Sequence, residues 1–171
     1  LYALIKMIYP TISREYFLQS PNIEKKEIDN ALKTLQEEGV LASKEPESYC
    51  KPNRNNDHFD KYLALCNICE PSIKRFYITM SVLWSQNNLS KEKLQTDCDL
   101  IAKELERLEG WPYPEFSDKT KFHNFIELLI AERYVKVDKE LLSASKITLK
   151  AQDSYKVFFD NRFLELIQSI N

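Results

Sequence analysis

Glycine is nearly absent from this chain, with 2 in 171 residues. A backbone that cradles phosphates or a dinucleotide needs several, because only glycine lets the main chain approach a ligand closely in the required conformations. Nucleotide-binding loops of that kind are therefore excluded. Long apolar runs are missing too. The most apolar opening stretch, Leu1 to Tyr9, is interrupted by Lys6 and falls short of the roughly 20 residues a membrane span requires. There is no excess of basic charge: the net charge is −2, whereas nucleic-acid binders carry a basic face. No secretory pattern accompanies the 4 cysteines, so reduced thiols in a cytoplasmic compartment are expected. The first residue is leucine and not methionine, which suggests a fragment or processed product.

What is present is ordinary globular material, 43% hydrophobic and 29% charged. The pattern is mainly helical. Leu1 to Ile8 reads as a helix ended by Pro10, and Ser13 to Leu18 as a short helix. Asn22 is placed to cap the helix that carries Ile28, Ala31, Leu32 and Leu35, and Gly39 sits where a left-handed terminating residue belongs. Val40 and Leu41 begin a short extended piece, and the polar stretch 44–56 reads as a loop. His58 to Cys69 is helical, Pro71 breaks or restarts it, and Ile73 to Trp84 is strongly apolar. Ser90 caps a helix striped by Leu94, Cys98, Ile101, Leu105 and Leu108, which Gly110 ends. Asp118 caps the helix of Phe122, Phe125, Ile126 and Leu129. Tyr134 to Val137 suits a strand, Glu140 to Asp153 has no clear period, and Ser154 to Ile170 reads as one last helix.

Two helix-then-strand units align without a gap. Ile28, Ala31, Leu32, Leu35, Gly39, Val40 and Leu41 match Phe122, Phe125, Ile126, Leu129, Arg133, Tyr134 and Val135, and Phe122 lies 94 positions after Ile28 as every other pair does. Such a unit is the core of a winged helix. The expected fold is therefore mainly α, with two winged-helix-like units of helices plus short β-strands: residues 1–56, then residues 57–171 with the C-terminal helix. Arg133 stands where the first unit has Gly39. A left-handed non-glycine residue costs on the order of 1 kcal/mol, so the second turn is expected to be built differently.

Candidate chemistry is thin. A histidine with an aspartate five residues on would suit acyl transfer, the histidine taking the proton from an attacking hydroxyl. Here those positions are Leu63 after His58 and Leu128 after His123. Cys66-Asn-Ile-Cys69 is the only CxxC, in an apolar helix without a second ligand pair. The helices that could enter a DNA groove carry mixed charge: Lys25, Lys26, Glu27 and Asp29 in one, Lys119, Lys121 and Glu127 in the other. No catalytic residue, metal, cofactor or nucleic-acid partner is expected.

The stretch from Arg75 to Leu83, the helix from Leu94 to Gly110, and then Pro114, Glu115, Phe116, Asp118, Lys119 and Phe122 together resemble the C-terminal region of the bacterial membrane-bound glycerol-3-phosphate acyltransferases. Two departures stand out: Ser117 replaces a second phenylalanine, and Trp111-Pro112-Tyr113 is bulkier than the family's loop. The resemblance implies a domain of an enzyme that moves a fatty acyl group from acyl-CoA or acyl-carrier protein to glycerol 3-phosphate, in phospholipid synthesis at the cytoplasmic face of the inner membrane. The family's catalytic block lies upstream of this region, so this segment would be soluble and non-catalytic. Within it, the proline-stiffened loop offers Trp111, Tyr113 and Phe116 as interface anchors. Their expected partner is the catalytic domain of the same polypeptide, a second subunit or acyl-carrier protein. The competing reading is that the rings plug the domain's own core. The alternative identity is a winged-helix interaction module of an unrelated regulator.

Overall fold

The computed structural model describes residues 1–20, 22–43, 45, 48–110 and 115–170, with the backbone alone of Ile147, Lys150, Ala151 and Ile170. Among them the chain is mainly helical, with one small antiparallel sheet. It divides into two compact units, Leu1–Glu70 and Pro71–Asn171. That division falls inside a helix.

The first unit contains α1 (Tyr2–Glu15), α2 (Lys25–Glu37) and the start of α3 (Phe59–Ser85). Pro10 does not end α1 as expected. A proline removes one ladder bond, and here the turns beyond it hold: Thr11 and Ser13 are buried, and the Tyr16 amide donates to Ile12 at 3.0 Å. Pro71 is likewise carried within α3. α2 is capped by Glu24 and not by Asn22; the Glu24 amide donates to the Glu27 carboxylate at 2.7 Å, half of a capping box. Ile28, Leu32 and Val40 are buried, whereas Ala31 faces solvent.

Gly39 terminates α2 with φ +70°, and a β-carbon there would meet the His58 ring at 2.8 Å. The glycine is thus favoured twice, by conformation and by space. Its turn hands the chain to a single antiparallel bridge between Ala42 and Cys50.

The second unit is built around the remainder of α3, whose residues from Lys74 to Leu83 are all buried. Then follow β1 (Leu89–Ser90), α4 (Lys91–Glu109), α5 (Lys119–Ala131), β2 (Val135–Asp138), β3 (Leu141–Ala144), α6 (Lys146–Lys156) and α7 (Asn161–Ile170). The sheet order is β1-β3-β2, with Val135 opposite Ala144 and Leu89 opposite Leu142. Phe76, Met80, Leu94, Leu105, Phe122 and Ile126 fill the core. Cys98 lies among them, and burial pushes its thiol up to about 12. The expected single last helix is two, because Asp160 starts a new one by accepting from the Phe163 amide at 2.8 Å. Tyr77 on α3 meets Phe159 and Phe163 at centroid distances of 4.5 and 5.9 Å.

The repeat extends to hydrogen bonds. In the first unit Glu38, Gly39 and Val40 donate to Thr34, Gln36 and Leu35; in the second, Glu132, Arg133 and Tyr134 donate to Leu128, Ile130 and Leu129. The expectation that the second turn is built differently is wrong: Arg133 adopts φ +59°. The same three bonds outweigh the strain of a left-handed arginine.

Two outcomes follow for thermal unfolding. Arg133→Gly relieves left-handed strain at an exposed residue and should stabilise by up to about 1 kcal/mol, a rise of about 2–4 °C in Tm. Gly39→Ala should destabilise by more than about 1 kcal/mol; adding His58→Ala should recover the steric part alone, and full recovery or none would refute the double preference.

Candidate interaction site: the clamped loop before α5

The segment between α4 and α5 is held by polar groups from three helices. α4 ends at Gly110, whose φ of +62° and amide bond to Glu106 close the last turn. Arg75 reaches the segment from α3. A charged residue amid Phe76, Tyr77 and Ile78 must be paired when buried, and Arg75 is 2% exposed. Its Nη1 donates to the Glu115 carbonyl at 3.5 Å, and its guanidinium lies 5.8 Å from the centre of the Phe125 ring.

The neighbours are fixed in turn. The Glu115 carboxylate pairs with Lys121; the hydrogen bond from Lys121, its charge and the nearby Arg75 hold that carboxyl below the usual carboxylate range. Ser117 donates twice to Glu106 of α4, from its amide to Oε1 and from its hydroxyl to Oε2, each at 2.9 Å. A phenylalanine at this position could supply only the amide, so the serine adds a bond to the clamp. Gln95 Nε2 donates to the Lys119 carbonyl at 2.9 Å. Asp118 caps α5 by accepting from the Thr120 amide at 2.8 Å. Asp99, 3% exposed, takes Lys103 at 2.8 Å and Lys119 at 3.8 Å.

Of the three expected anchors, Trp111 and Tyr113 lie outside the described residues. Phe116 is 0% exposed. Its ring is a core plug, as the competing reading had it, and corrects the expectation of a surface anchor at that residue. Glu106 and Gln95 were missed as site residues, since on a helix striped for burial they look like ordinary polar-face positions. The charge at Arg75 in an apolar helix was the one signal that could have found the clamp.

The arrangement can hold a loop. His123 is on the α5 surface, 3.8 Å from Glu127. His58 packs on Gly39 in the first unit. Cys66 is exposed, and burial and the neighbouring Cys66 push the Cys69 thiol up. Among the described residues no group of three or more His, Cys, Asp or Glu side chains could hold a metal ion, and no helix is long and apolar enough to cross a membrane. A cleft of about 230 Å3 elsewhere in the second unit is lined by Tyr77, Ser81, Trp84, Lys156, Ile167 and Gln168. Its lysine is engaged with Asp153 at 2.8 Å.

Comparison with known proteins follows the same residues. Residues 1–138, which end with β2, match the family described as the glycerol-3-phosphate acyltransferase C-terminal region. The chain is 33% identical over 137 residues to the glycerol-3-phosphate acyltransferase of Pseudomonas putida strain W619, covering 78% of this chain and 16% of the relative. It is 32% identical over 139 residues to that of Pseudomonas putida strain GB-1, covering 80% and 17%. For Pseudomonas entomophila strain L48 the values are 32% over 137 residues, 78% and 16%. The chain thus spans about a sixth of the length of the curated relatives it matches. No solved structure matches it. By the extent of that match the chain belongs to the family of glycerol-3-phosphate acyltransferase C-terminal regions.

Proposed function

We propose that this chain is the non-catalytic C-terminal region of a glycerol-3-phosphate 1-O-acyltransferase, and that it serves that enzyme by docking. The parent enzyme would pass an acyl group from acyl-CoA or acyl-carrier protein to the 1-hydroxyl of glycerol 3-phosphate at the cytoplasmic face of the inner membrane. The catalytic domain of the same polypeptide is the partner. The observation that carries this reading is the clamp: Arg75, Glu106 and Lys121 all hold the short segment Glu115–Ser117, and Phe116 roots it in the core. Trp111 and Tyr113, four and two residues before Glu115 and interleaved with Pro112 and Pro114 in the sequence, are the candidate anchors.

The second unit is a winged helix in this reading. The order helix, strand, helix, helix, strand, strand supports it, as does a sheet in which β3 lies between β1 and β2. The helix that would enter a DNA groove is α5. Its cations are matched by carboxylates, Lys121 with Glu115 and Lys119 with Asp99, and binding to phosphates needs several free ones. Contact with protein and not with nucleic acid is therefore the use of this surface.

Substitution separates docking from core packing. Trp111→Ala in the full-length enzyme should lower acyl transfer to glycerol 3-phosphate by at least about tenfold, the loss of one interface anchor of roughly 1.4 kcal/mol or more, with Tm unchanged. A collapse of Tm would mean that the ring packs inside and the docking role fails. Glu106→Ala should behave in the opposite way in the 171-residue chain: loss of both bonds to Ser117 should cost about 1–3 kcal/mol, read as a lower Tm. An unchanged Tm would show that the clamp holds nothing.

A further inference from the structure

The first unit has a thin core and a bare surface. Among its described residues the buried hydrophobics are Ile8, Ile28, Leu32 and Val40. By contrast Tyr16, Phe17, Leu18, Leu65 and Ile68 are exposed by 40, 93, 45, 45 and 52%. The Tyr16 hydroxyl donates to the Ile68 carbonyl and so seats the turn of Tyr16, Phe17 and Leu18 on α3, where Leu65 precedes Ile68 by three positions.

Two features make this surface more than scattered exposed residues. The first is Phe17. The Leu18 amide donates back to Ser13 at 2.8 Å and the Phe17 amide to Arg14 at 3.4 Å, a helix-ending turn whose left-handed position is normally glycine. Here it is a phenylalanine at φ +52°. The turn therefore holds a large apolar ring out in solvent in a conformation that glycine would adopt without strain. The second is the start of α3. Residues 63–68 are exposed throughout, and they include Leu63, Leu65 and Ile68 and no charged side chain. Leu65 and Ile68, three positions apart, lie on one face of the helix.

We propose that the surface formed by Tyr16, Phe17, Leu18, Leu65 and Ile68 is the seat of the catalytic part of the acyltransferase polypeptide, which covers it with an apolar face. This rests on the reading of the chain as the C-terminal region of that enzyme. The occupant follows from where the rest of the polypeptide lies. In the relatives the matched segment is 16–17% of the length and is the C-terminal region, so in them the bulk of the polypeptide precedes the stretch that corresponds to α1. The 14 residues of α1 span about 21 Å, so a partner tethered at its start has the patch within reach at high effective concentration. The patch itself carries no charge, so the face that fits it is apolar.

Cys66, exposed on the same helix segment, reports coverage directly. In a Cys50→Ser, Cys69→Ser background the remaining thiol, Cys98, is buried and pushed up to about 12, so it stays silent. The rate of maleimide modification is measured in the 171-residue chain and in the full-length acyltransferase polypeptide. The expected result is fast labelling in the chain and labelling slowed at least about tenfold in the full-length protein, as for a protected site. Phe17→Asp with Ile68→Asp should restore the fast rate there and leave the Tm of the 171-residue chain unchanged. Equal rates in the two proteins would overturn the proposal. So would protection that grows with concentration of the chain alone, which means a second copy, or protection that appears only with phosphatidylglycerol vesicles, which means a lipid surface. Acyl transfer to glycerol 3-phosphate is assayed on the same full-length sample. Its absence would sink the enzyme assignment while the labelling result stands, and Trp111→Ala should leave Cys66 protected.

Discussion

A guanidinium buried in the middle of an apolar helix cannot be left to itself, and the second unit is arranged around that constraint. Arg75 reaches the Glu115 carbonyl and lies over Phe125, so it joins α3, the loop and α5 in one contact set. Removing one partner of such a group leaves an uncompensated buried charge, the expensive direction for any buried ion. The remaining contacts of the loop repeat the theme at lower burial. Glu106, Gln95 and Lys121 each take a backbone or side-chain group of residues 115–119. Residues 115–119 are thus tied to their neighbours on three helices.

The two units solve the same local problem and differ in what covers them. Each ends a helix with the same set of backward hydrogen bonds and turns into an antiparallel pairing. In the second unit the helix buries Phe122, Phe125, Ile126 and Leu129, and the aromatic rings of Phe159 and Phe163 close over Tyr77. In the first unit α2 buries Ile28 and Leu32 only, and the apolar start of α3 stays bare. A unit with few buried side chains gains little from the hydrophobic effect.

Much of this was legible in the sequence because it is decided within a few residues. The caps at Ser90 and Asp118 and the stops at Gly39 and Gly110 are local events, set by a side chain and the backbone groups one turn away. The stripe of Leu94, Cys98, Ile101 and Leu105 was likewise visible, and all four are buried. The prolines misled for the same reason. Pro10 and Pro71 are local breakers, but the burial of Thr11 and Ser13 beyond the first and of Ser72 and Lys74 beyond the second keeps both helices intact. Arg133 misled in the reverse direction, since its left-handed conformation is imposed by bonds that the arginine itself does not favour. At the site, the loop was found from its motif while the clamp was not. Glu106 lies 11 positions from Ser117 and nothing in its own neighbourhood distinguishes it.

The sequence by itself therefore determined the helical class, the places where helices start and stop, the repeated unit and the absence of a histidine–aspartate pair of acyl-transfer spacing, because each depends on residue type and short spacing. Only the tertiary structure decided that Phe116 is buried, that Arg75 and Glu106 hold the loop, and that Phe17 and Ile68 share a bare surface. Those outcomes depend on which side chains distant in the chain come within a few ångströms of one another, and burial and pairing are properties of that meeting and not of any one residue.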